Sequence, residues 1–261
     1  MKPNRVKEKL NTNSPCFGTW ITVCSNPKFL NMIATSKLDF VIIEMEHSDF
    51  SLETVSMLCN FARALDIVPF VRPPGTSKSH DLTRPLDSGA QGLLLPSIDD
   101  AVTLERVVKE TKYWPIGKRP MNLRGVHTDF QSAEPQNMIS HLNDNSMIIA
   151  MIESQEAIRN LEDICETPGL DAIFVGPDDL SQDLGVPGDL SNKILVEAIE
   201  EIFRVASEKK VPFGASAQKF EQLEKRVAQG ATWIPYKNDA SIFMDAMQDI
   251  RNNLATLGDK R

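Results

Sequence analysis

The feature that most constrains the fold of this chain is a strand-then-helix alternation that repeats eight times without a linker. The apolar segments predict strands over residues 17–23, 39–45, 68–72, 92–96, 147–153, 171–176, 211–216 and 232–236. The segments between them predict helices over residues 26–35, 81–87, 99–112, 155–166, 193–209 and 240–256, with two more that start at Ser51 and end at Ala228. Short apolar strands that alternate with helices are typical of a parallel sheet covered by helices.

Eight such repeats in 261 residues favour an α/β fold of the (β/α)8 TIM barrel type, and we expect a single domain over residues 1–261. An open doubly wound sheet usually has fewer strands and a glycine-rich first turn, and no G-x-G-x-x-G occurs here. Three stretches fall outside the alternation. We expect residues 1–14 to be an N-terminal extension, residues 113–146 a long loop with some helix that covers the site, and residues 177–192 an irregular stretch.

Composition excludes several classes of function. The formal net charge of −8 argues against a general binder of nucleic acids or anionic membranes. The longest apolar run, Met147 to Ile152, is far shorter than the roughly 20 apolar residues of a membrane span. The polar start of the chain leads into no apolar signal core, so we expect a cytoplasmic location. The four cysteines are widely spaced without a C-x-x-C, which suggests neither a zinc ribbon nor a thioredoxin-type site.

In a barrel of this type the functional residues stand at the carboxyl ends of the strands. Those ends carry one histidine, one arginine and several carboxylates, which should converge on one face of the barrel. In chain order they are Glu44-Met45-Glu46-His47, Arg72-Pro73-Pro74-Gly75, Pro96-Ser97, Glu153-Ser154, Gly176-Pro177-Asp178-Asp179, Ser216 and Lys237-Asn238-Asp239.

Two of these carboxylates come from neighbouring strands. Glu153 and Asp179 could hold a hard cation such as Mg²⁺ or Mn²⁺, with water and substrate oxygens in the remaining positions. The alternative is that each acid caps the helix after it, because acidic residues favour helix N-termini. Two such acids on one face that also bears a histidine and an arginine favour the metal site.

Three further residues are candidates for acid–base chemistry and substrate binding. His47 could act as a general base, and otherwise is a hydrogen-bonded loop residue. Arg72 could bind a carboxylate or keto oxygen, and otherwise forms a structural ion pair with Glu44 or Glu46. Asp87 could orient His47, and otherwise is a turn residue.

Five segments of the chain resemble the HpcH/HpaI aldolase family. They are Glu44-Met45-Glu46-His47, Val71-Arg72-Pro73, Leu86-Asp87-Ser88-Gly89-Ala90-Gln91-Gly92, Ile152-Glu153-Ser154 and Phe174-Val175-Gly176-Pro177-Asp178-Asp179-Leu180-Ser181. The resemblance runs from about Phe17 to Asp239. The E-H after the second strand and the G-P-x-D-L after the sixth strand are its most specific parts.

The resemblance implies a metal-dependent, class II pyruvate aldolase of the phosphoenolpyruvate/pyruvate barrel superfamily. Such an enzyme cleaves or forms a 4-hydroxy-2-oxo acid, with pyruvate and an aldehyde as the other side of the reaction. It also implies that the metal is Mg²⁺ or Mn²⁺, with Co²⁺ as a further option. Family members exchange the last helix between subunits, so a homo-oligomer, trimer or hexamer, is expected. An apolar stripe over residues 242–250 could instead pack on its own barrel.

Carried onto this sequence, the resemblance assigns roles to particular residues. Glu153 and Asp179 would hold the metal, His47 would act in acid–base catalysis with Asp87 as its partner, and Arg72 would bind the pyruvyl oxygens. The substrate-binding set comprises Arg72, Gly176, Pro177, Asp178 and Ser216, and backbone amides near Gly176 to Asp178 would take the substrate carboxylate.

The sequence departs from the family pattern at three places, which keeps the reaction open. Met151 stands where many relatives have Gln, Glu44 where Asp is common, and residues 113–125 are longer than a compact Y-P-P-x-G-x-R-G. The alternatives are an oxaloacetate decarboxylase, enolate chemistry like that of macrophomate synthase, and a barrel that binds a keto acid without catalysis. A class I aldolase would need a Schiff-base lysine, for which Lys237 is the candidate. A phosphate-sugar barrel would want glycine-rich loops that residues 214–217 and 237–239 do not supply.

Overall fold

Eight parallel strands form the centre of the protein in this computed structural model, which describes residues 1–258. The strands are β1 (Cys16–Ile21), β2 (Phe40–Glu44), β3 (Val68–Arg72), β4 (Gly92–Leu95), β5 (Met147–Ile152), β6 (Ala172–Val175), β7 (Phe213–Ala215) and β8 (Trp233–Asn238). They pair in chain order, and β8 pairs with β1. The circle closes at Ala217, whose N–H donates to Pro235 O at 3.0 Å and whose carbonyl accepts from Lys237 N–H at 2.9 Å. The expected TIM barrel is confirmed.

Twelve helices and a short 3₁₀ turn lie within residues 1–258. They are α1 (Arg5–Leu10), α2 (Phe29–Ala34), α3 (Leu52–Ala64), α4 (Ser79–Asp87), α5 (Ala101–Thr111), the 3₁₀ turn (Val126–Thr128), α6 (Pro135–Asn145), α7 (Gln155–Arg159), α8 (Leu161–Glu166), α9 (Pro177–Asp183), α10 (Lys193–Glu208), α11 (Phe220–Ala228) and α12 (Asp239–Gly258). In this part of the chain no helix has the length and apolar character that crossing a membrane would require.

The strand predictions agree with the structure to within a few residues, whereas the prediction for residues 177–192 was partly wrong. Residues 177–192, expected to be irregular, begin with α9, which starts at Pro177 directly after β6. The extension at residues 1–14 contains α1, whose Val6 and Leu10 are buried among the residues of the barrel interior. Strand β8 continues to Asn238, so α12 follows it without a loop.

Aromatic rings fill the inside of the barrel. Phe40 and Trp233 stack with ring centroids 4.6 Å apart, and Phe70 and Phe174 each meet the Trp233 ring edge-on at 5.4 Å. These rings fit because a glycine stands beside them on the neighbouring strand: a Cβ at Gly18 would lie 2.3 Å from the Phe40 ring. Large residues facing small ones is the usual way in which a barrel interior is packed.

A buried carboxylate joins the start of α12 to the loop after β1. Asp239 is 4% exposed and accepts hydrogen bonds from the N–H and hydroxyl of Thr22 at 2.9 and 2.6 Å. It also accepts from the N–H groups of Val23, Cys24 and Ala240. Burial alone would raise the pKa of Asp239, but the hydrogen bonds from Thr22 and the backbone N–H groups outweigh it and lower the pKa. The carboxylate therefore fixes the loop that follows β1.

We expect Asp239→Asn to destabilise the protein by about 2–4 kcal/mol, because an amide cannot accept all of these bonds and turns two donors toward them. The folded-state pKa lies below the unfolded value of about 3.9, so this stability is present above that pH and is lost as the pH falls further. Urea unfolding at pH 7 and pH 3.5 measures both effects. Asp249→Asn, at an exposed position of α12, is the control and should change little. Equal losses for both variants would contradict the role of Asp239.

Candidate active site

Two cavities open at the carboxyl ends of the strands and meet at Asp179, which lines both. One has a volume of about 430 Å³, and the residues predicted for the site that line it are Arg72, Gly176, Pro177, Asp178, Asp179 and Ser216. The other has a volume of about 510 Å³ and is lined by Glu46, His47, Ser97, Asp99, Glu153, Ser154, Asp179, Gln182 and Asp183. The second cavity is strongly acidic. Of the predicted site residues, Asp87 alone lines neither cavity.

Arg72 at the end of β3 is held by two carboxylates and an aromatic ring. Its Nε donates to Glu44 Oε2 at 2.6 Å, and its Nη1 lies 3.1 Å from Glu46 Oε2. The guanidinium also lies over the Trp20 ring, 5.0 Å from its centroid. Of the five N–H groups of an arginine, this arrangement leaves three for another partner. The ion pairs with Glu44 and Glu46, which were the alternative role for Arg72, are present. They orient the guanidinium and leave three of its N–H groups without a partner in these pairs.

Glu44, the last residue of β2, organises the turn that carries His47. The Glu44 side chain is 2% exposed. Its Oε1 accepts from the N–H groups of Glu46 and His47 at 2.6 and 3.1 Å, while its Oε2 accepts from Arg72. Burial raises the pKa of Glu46, and the positive charge of Arg72 opposes that effect. One buried acid thus sets the positions of the arginine and of the turn.

His47 is exposed, with 66% of its side chain accessible. Its Nε2 lies 3.8 Å from Glu46 Oε2. That separation is too long for a hydrogen bond but keeps the imidazole beside a carboxylate. The ring is free to reach a ligand in the acidic cavity.

Glu153 follows β5, and one of its two carboxylate oxygens is buried. Its Oε1 accepts from Ser97 N–H at 2.7 Å, while its Oε2 is buried without a hydrogen-bond partner. Burial raises the pKa of Glu153 to about 7; the Ser97 bond opposes the shift, whereas the negative charges of Asp179 and Glu46 add to it. Ser97 reaches this position with φ +53°, a left-handed conformation that is unusual for a non-glycine residue and typical of functional sites.

The surroundings of Glu153 suit a divalent cation. Its unpaired Oε2 faces Gly176, where an added Cβ would lie 2.6 Å from that oxygen. Glycine therefore keeps open the space beside the carboxylate. The carboxylates of Glu153 and Asp179 offer the oxygen ligands that Mg²⁺ and Mn²⁺ prefer. No group of three or more His, Cys, Asp or Glu residues within residues 1–258 is arranged to hold a metal, so Glu153 and Asp179 would leave most positions to water and substrate.

The first turn of α9 carries the two aspartates after β6. Asp178 and Asp179 follow Pro177, which occupies the first helical position. Of the amides expected to bind a carboxylate, Gly176 N–H already donates to Ile152 O at 3.2 Å, and Pro177 has no N–H. Only Asp178 N–H, among the first N–H groups of a helix and so without an intrahelical acceptor, can take that role.

Asp87 lies at the other end of the barrel from His47. It is the last residue of α4, and a helix that runs antiparallel to the strands brings its carboxyl end to the start of the next strand, β4. There Asp87 Oδ1 accepts from Arg119 Nη2 at 2.5 Å. The expected pairing of Asp87 with His47 is therefore wrong within one chain, and Glu46 is the carboxylate beside His47.

Lys237 does not resemble a Schiff-base nucleophile. Its Nζ lies 2.6 Å from Asp245 Oδ2, and this hydrogen bond raises the pKa of the lysine. A lysine that attacks a carbonyl needs a lowered pKa instead. The class I alternative thus finds no support at this residue.

Three residues that sequence reasoning did not assign to the site belong to it. Trp20 stacks on Arg72, and its Nε1 donates to Ser216 Oγ at 3.2 Å. Glu46 pairs with Arg72, and Ser97 holds Glu153. The sequence signal for Glu46 and Ser97 was their place at strand ends. Trp20 gave no such signal, because it lies inside β1 and reaches the site from the barrel wall.

Comparisons with known proteins cover most of the chain. Residues 17–246 match the family model for HpcH/HpaI aldolase/citrate lyase. Over 248 residues the chain is 29% identical to 5-keto-4-deoxy-D-glucarate aldolase of Shigella dysenteriae serotype 1 (strain Sd197), with 95% of each protein covered. The crystal structure of an HpcH/HpaI aldolase from Desulfitobacterium hafniense DCB-2 superposes with a TM-score of 0.91 at 26% identity, covering 95% of each chain. The citrate synthase SbnG superposes with a TM-score of 0.87 at 30% identity, covering 97% of this chain and 98% of that one.

Proposed function

The chain belongs to the HpcH/HpaI aldolase/citrate lyase family and is a carbon–carbon lyase, and we propose that it cleaves 4-hydroxy-2-oxo acids to pyruvate and an aldehyde or forms them from these two compounds. The observation that carries the proposal is the unpaired, buried oxygen of Glu153 beside Asp179, in a site that also holds a free edge of Arg72. Glu153 and Asp179 would hold Mg²⁺, Mn²⁺ or Co²⁺, and the cation would act as a Lewis acid toward the keto and carboxylate oxygens of the substrate.

The remaining chemistry falls to side chains of this chain. The three free N–H groups of Arg72 bind the pyruvyl oxygens and stabilise the negative charge that develops when the C3–C4 bond breaks. His47 takes the proton from the C4 hydroxyl, and Glu46 stabilises the imidazolium that results. Asp178 N–H and Ser216 Oγ are the groups that we assign to the substrate carboxylate. The imidazolium of His47 then returns this proton to C3 of the enolate, which gives pyruvate and restores the neutral imidazole.

Decarboxylation of oxaloacetate is the second candidate. Breaking a carbon–carbon bond to release CO₂ needs the same cation and the same arginine, but no base for a C4 hydroxyl. The exposure of His47, which has no hydrogen bond to its nearest carboxylate, favours this reaction. The similarity to the citrate synthase SbnG leaves related enolate chemistry as a further variant.

A substrate comparison separates these reactions. Pyruvate release is measured from a series of 4-hydroxy-2-oxo acids and from oxaloacetate, with Mn²⁺ or Mg²⁺ and then with EDTA. We expect EDTA-sensitive cleavage of at least one hydroxy acid, and a loss of that cleavage in His47→Ala. Turnover of oxaloacetate alone, unaffected by His47→Ala, would establish the decarboxylase instead. Absence of turnover together with metal binding would favour a keto-acid-binding barrel.

We also propose that the protein is a homo-oligomer built through α12. Every residue from Ile242 to Leu257 is exposed in the single chain. The alternative that this helix packs on its own barrel is thus contradicted for these residues. The large apolar side chains exposed on this helix are Ile242, Phe243, Met244, Met247, Ile250, Leu254 and Leu257. Monomers rarely expose an apolar surface of that extent, so a second copy is expected to cover it.

We expect Ile250→Asp together with Leu254→Asp to convert the oligomer to monomers, because two buried carboxylates without partners would be introduced into each contact. Size-exclusion chromatography with light scattering measures the mass. Gln248→Asp together with Asn252→Asp places the same charge on polar positions of the helix and should leave the mass unchanged. An unchanged mass in the first variant would exclude α12 from the interface, and a monomeric wild type would exclude the assembly altogether.

A further inference from the structure

Trp20 contacts two groups that we assign to substrate binding, Arg72 and Ser216. It belongs to β1, is half-buried, and lines the same cavity as these two residues. The guanidinium of Arg72 lies over the indole ring, 5.0 Å from its centroid. At the edge of the ring, Nε1 donates to Ser216 Oγ at 3.2 Å. One side chain of the barrel wall therefore joins two separate donors of the site.

The closure of the barrel fixes Ser216 beside the indole. Ser216 directly follows β7, and the next residue, Ala217, is held on both sides by β8. Ala217 N–H donates to Pro235 O at 3.0 Å, and Lys237 N–H donates to Ala217 O at 2.9 Å. The other edge of β8 pairs with β1, which carries Trp20. The contact between Trp20 and Ser216 is thus set by paired strands.

The hydrogen bond from Trp20 determines how the Ser216 hydroxyl can act. An indole N–H is a donor only, so Ser216 Oγ is the acceptor in this bond. Within residues 1–258 the Ser216 hydroxyl has no second hydrogen-bond partner, which leaves its own hydrogen available to a group in the cavity. The group that takes this hydrogen must be an acceptor. An ionised carboxylate meets that requirement, because its oxygens only accept.

The indole ring also supports Arg72 from a third side. Glu44, at the end of β2, and Glu46, in the turn after it, pair with Arg72 Nε and Nη1 at 2.6 and 3.1 Å. Trp20 adds a contact from β1, since the electron-rich face of an indole attracts a cation. Trp20 therefore keeps the free N–H groups of Arg72 and the hydroxyl of Ser216 on one wall of the cavity.

We propose that Trp20 is a positioning residue for the substrate. Its N–H directs the hydroxyl hydrogen of Ser216 toward the substrate carboxylate, and its ring holds the cation of Arg72 in place for the pyruvyl oxygens. The inference rests on the proposed function, which places a 2-oxo acid in this cavity. Trp20 acts through its two partners and makes or breaks no bond itself. Phenylalanine keeps an aromatic ring without the N–H, so substitutions can separate the two effects.

A double-mutant cycle tests the effect on Ser216. Trp20→Phe should raise KM for the hydroxy acid about 3–10-fold, the effect of one weakened hydrogen bond. The kcat should stay within about twofold, because the charge of the carboxylate does not change during cleavage. Ser216→Ala should raise KM similarly, and adding Trp20→Phe to it should raise KM no further. Trp114→Phe, at an exposed tryptophan outside both cavities, is the control. An equal rise for Trp20→Phe in both backgrounds would overturn the proposal.

Trp20→Leu tests the effect on Arg72, because it removes the ring as well as the N–H. The kcat should then fall by about 3–10-fold relative to Trp20→Phe, since Arg72 acts on negative charge that develops only in the transition state. Thermal unfolding of each variant shows that the fold is retained. A Trp20→Leu protein with the kcat of Trp20→Phe would overturn the role of the ring.

A crystal structure of the wild type with pyruvate and Mg²⁺ gives a test that needs no variant. Ser216 Oγ should lie about 2.5–3.0 Å from a carboxylate oxygen of pyruvate and keep its contact with Trp20 Nε1. A pyruvate carboxylate out of reach of Ser216, or bonded directly by Trp20, would overturn this inference and leave the aldolase proposal standing. A wild type that releases no pyruvate from any hydroxy acid would refute the proposed function, and this inference with it.

Discussion

Replacing Glu153 with glutamine is expected to lower kcat/KM for metal-dependent cleavage by about 10³-fold or more, the rate factor for about 4 kcal/mol of lost transition-state stabilisation. The amide keeps an oxygen for Ser97 N–H but removes the negative charge and one of the two oxygens that a cation would use. Metal-induced thermal stabilisation should disappear with the activity. Both are measured on the same preparation, by a pyruvate assay and by thermal unfolding with and without Mn²⁺.

The same substitution should not weaken the metal-free fold. Burial raises the pKa of Glu153 to about 7, above the unfolded value of about 4.3. The stability contributed by this group is therefore full below the unfolded pKa and is lost as the pH rises through the folded pKa. A neutral amide does not ionise, so the Glu153→Gln variant does not lose this stability at high pH. We expect the variant to be about 1–3 kcal/mol more stable than the wild type at pH 8 without metal, and equal to it near pH 4.

Glu156→Gln is the matched control, since Glu156 stands in the first turn of α7 and is exposed. It should change neither the activity nor the response to metal. EDTA-sensitive cleavage that survives in Glu153→Gln would exclude Glu153 as a ligand. A variant less stable than the wild type at pH 8 would show instead that the carboxylate stabilises the fold.

The barrel and most of its strands could be predicted from sequence because each depends on local patterns. The strand from Met147 to Ile152 is buried on both faces, and a continuous apolar run in the sequence predicts a strand of this kind. The alternation with helices then fixes which end of each strand carries function. By this reasoning Arg72, Glu153 and Asp179 were placed on one face, and the structure brings them around two adjoining cavities.

Pairings across the fold could not be predicted in the same way. Asp87 was assigned to His47 through resemblance, whereas its partner Arg119 lies 32 residues away in a stretch without a periodic pattern. The unpaired Nε of Arg63 and the open space beside Gly176 likewise depend on packing, so a local sequence pattern cannot predict them. Residues 177–192 were expected to be irregular, although a proline such as Pro177 need not interrupt a helix. Proline instead starts one when it occupies the first position.

Replacing Arg72 should separate its structural role from its catalytic one. Arg72→Ala leaves the Glu44 carboxylate buried without its cation and Glu46 without its pair, so we expect a loss of about 3–5 kcal/mol in the free energy of unfolding. Arg72→Lys retains the charge for one carboxylate and should cost much less stability. A lysine ammonium lacks the planar set of five N–H groups that can serve two carboxylates and a substrate together.

Arg72→Lys should therefore remain folded and still lose about 10²–10³-fold in kcat/KM, the effect of removing one positioned donor from a developing negative charge. The decrease should fall on kcat as well as on KM, because the lost bonds strengthen in the transition state. Arg84→Lys, on the helix that follows β3, is the control and should retain activity. If Arg72→Lys kept wild-type kcat/KM while Arg72→Ala unfolded, Arg72 would serve only to hold Glu44 and Glu46. The stabilisation of the substrate's negative charge would then have to come from elsewhere in the site.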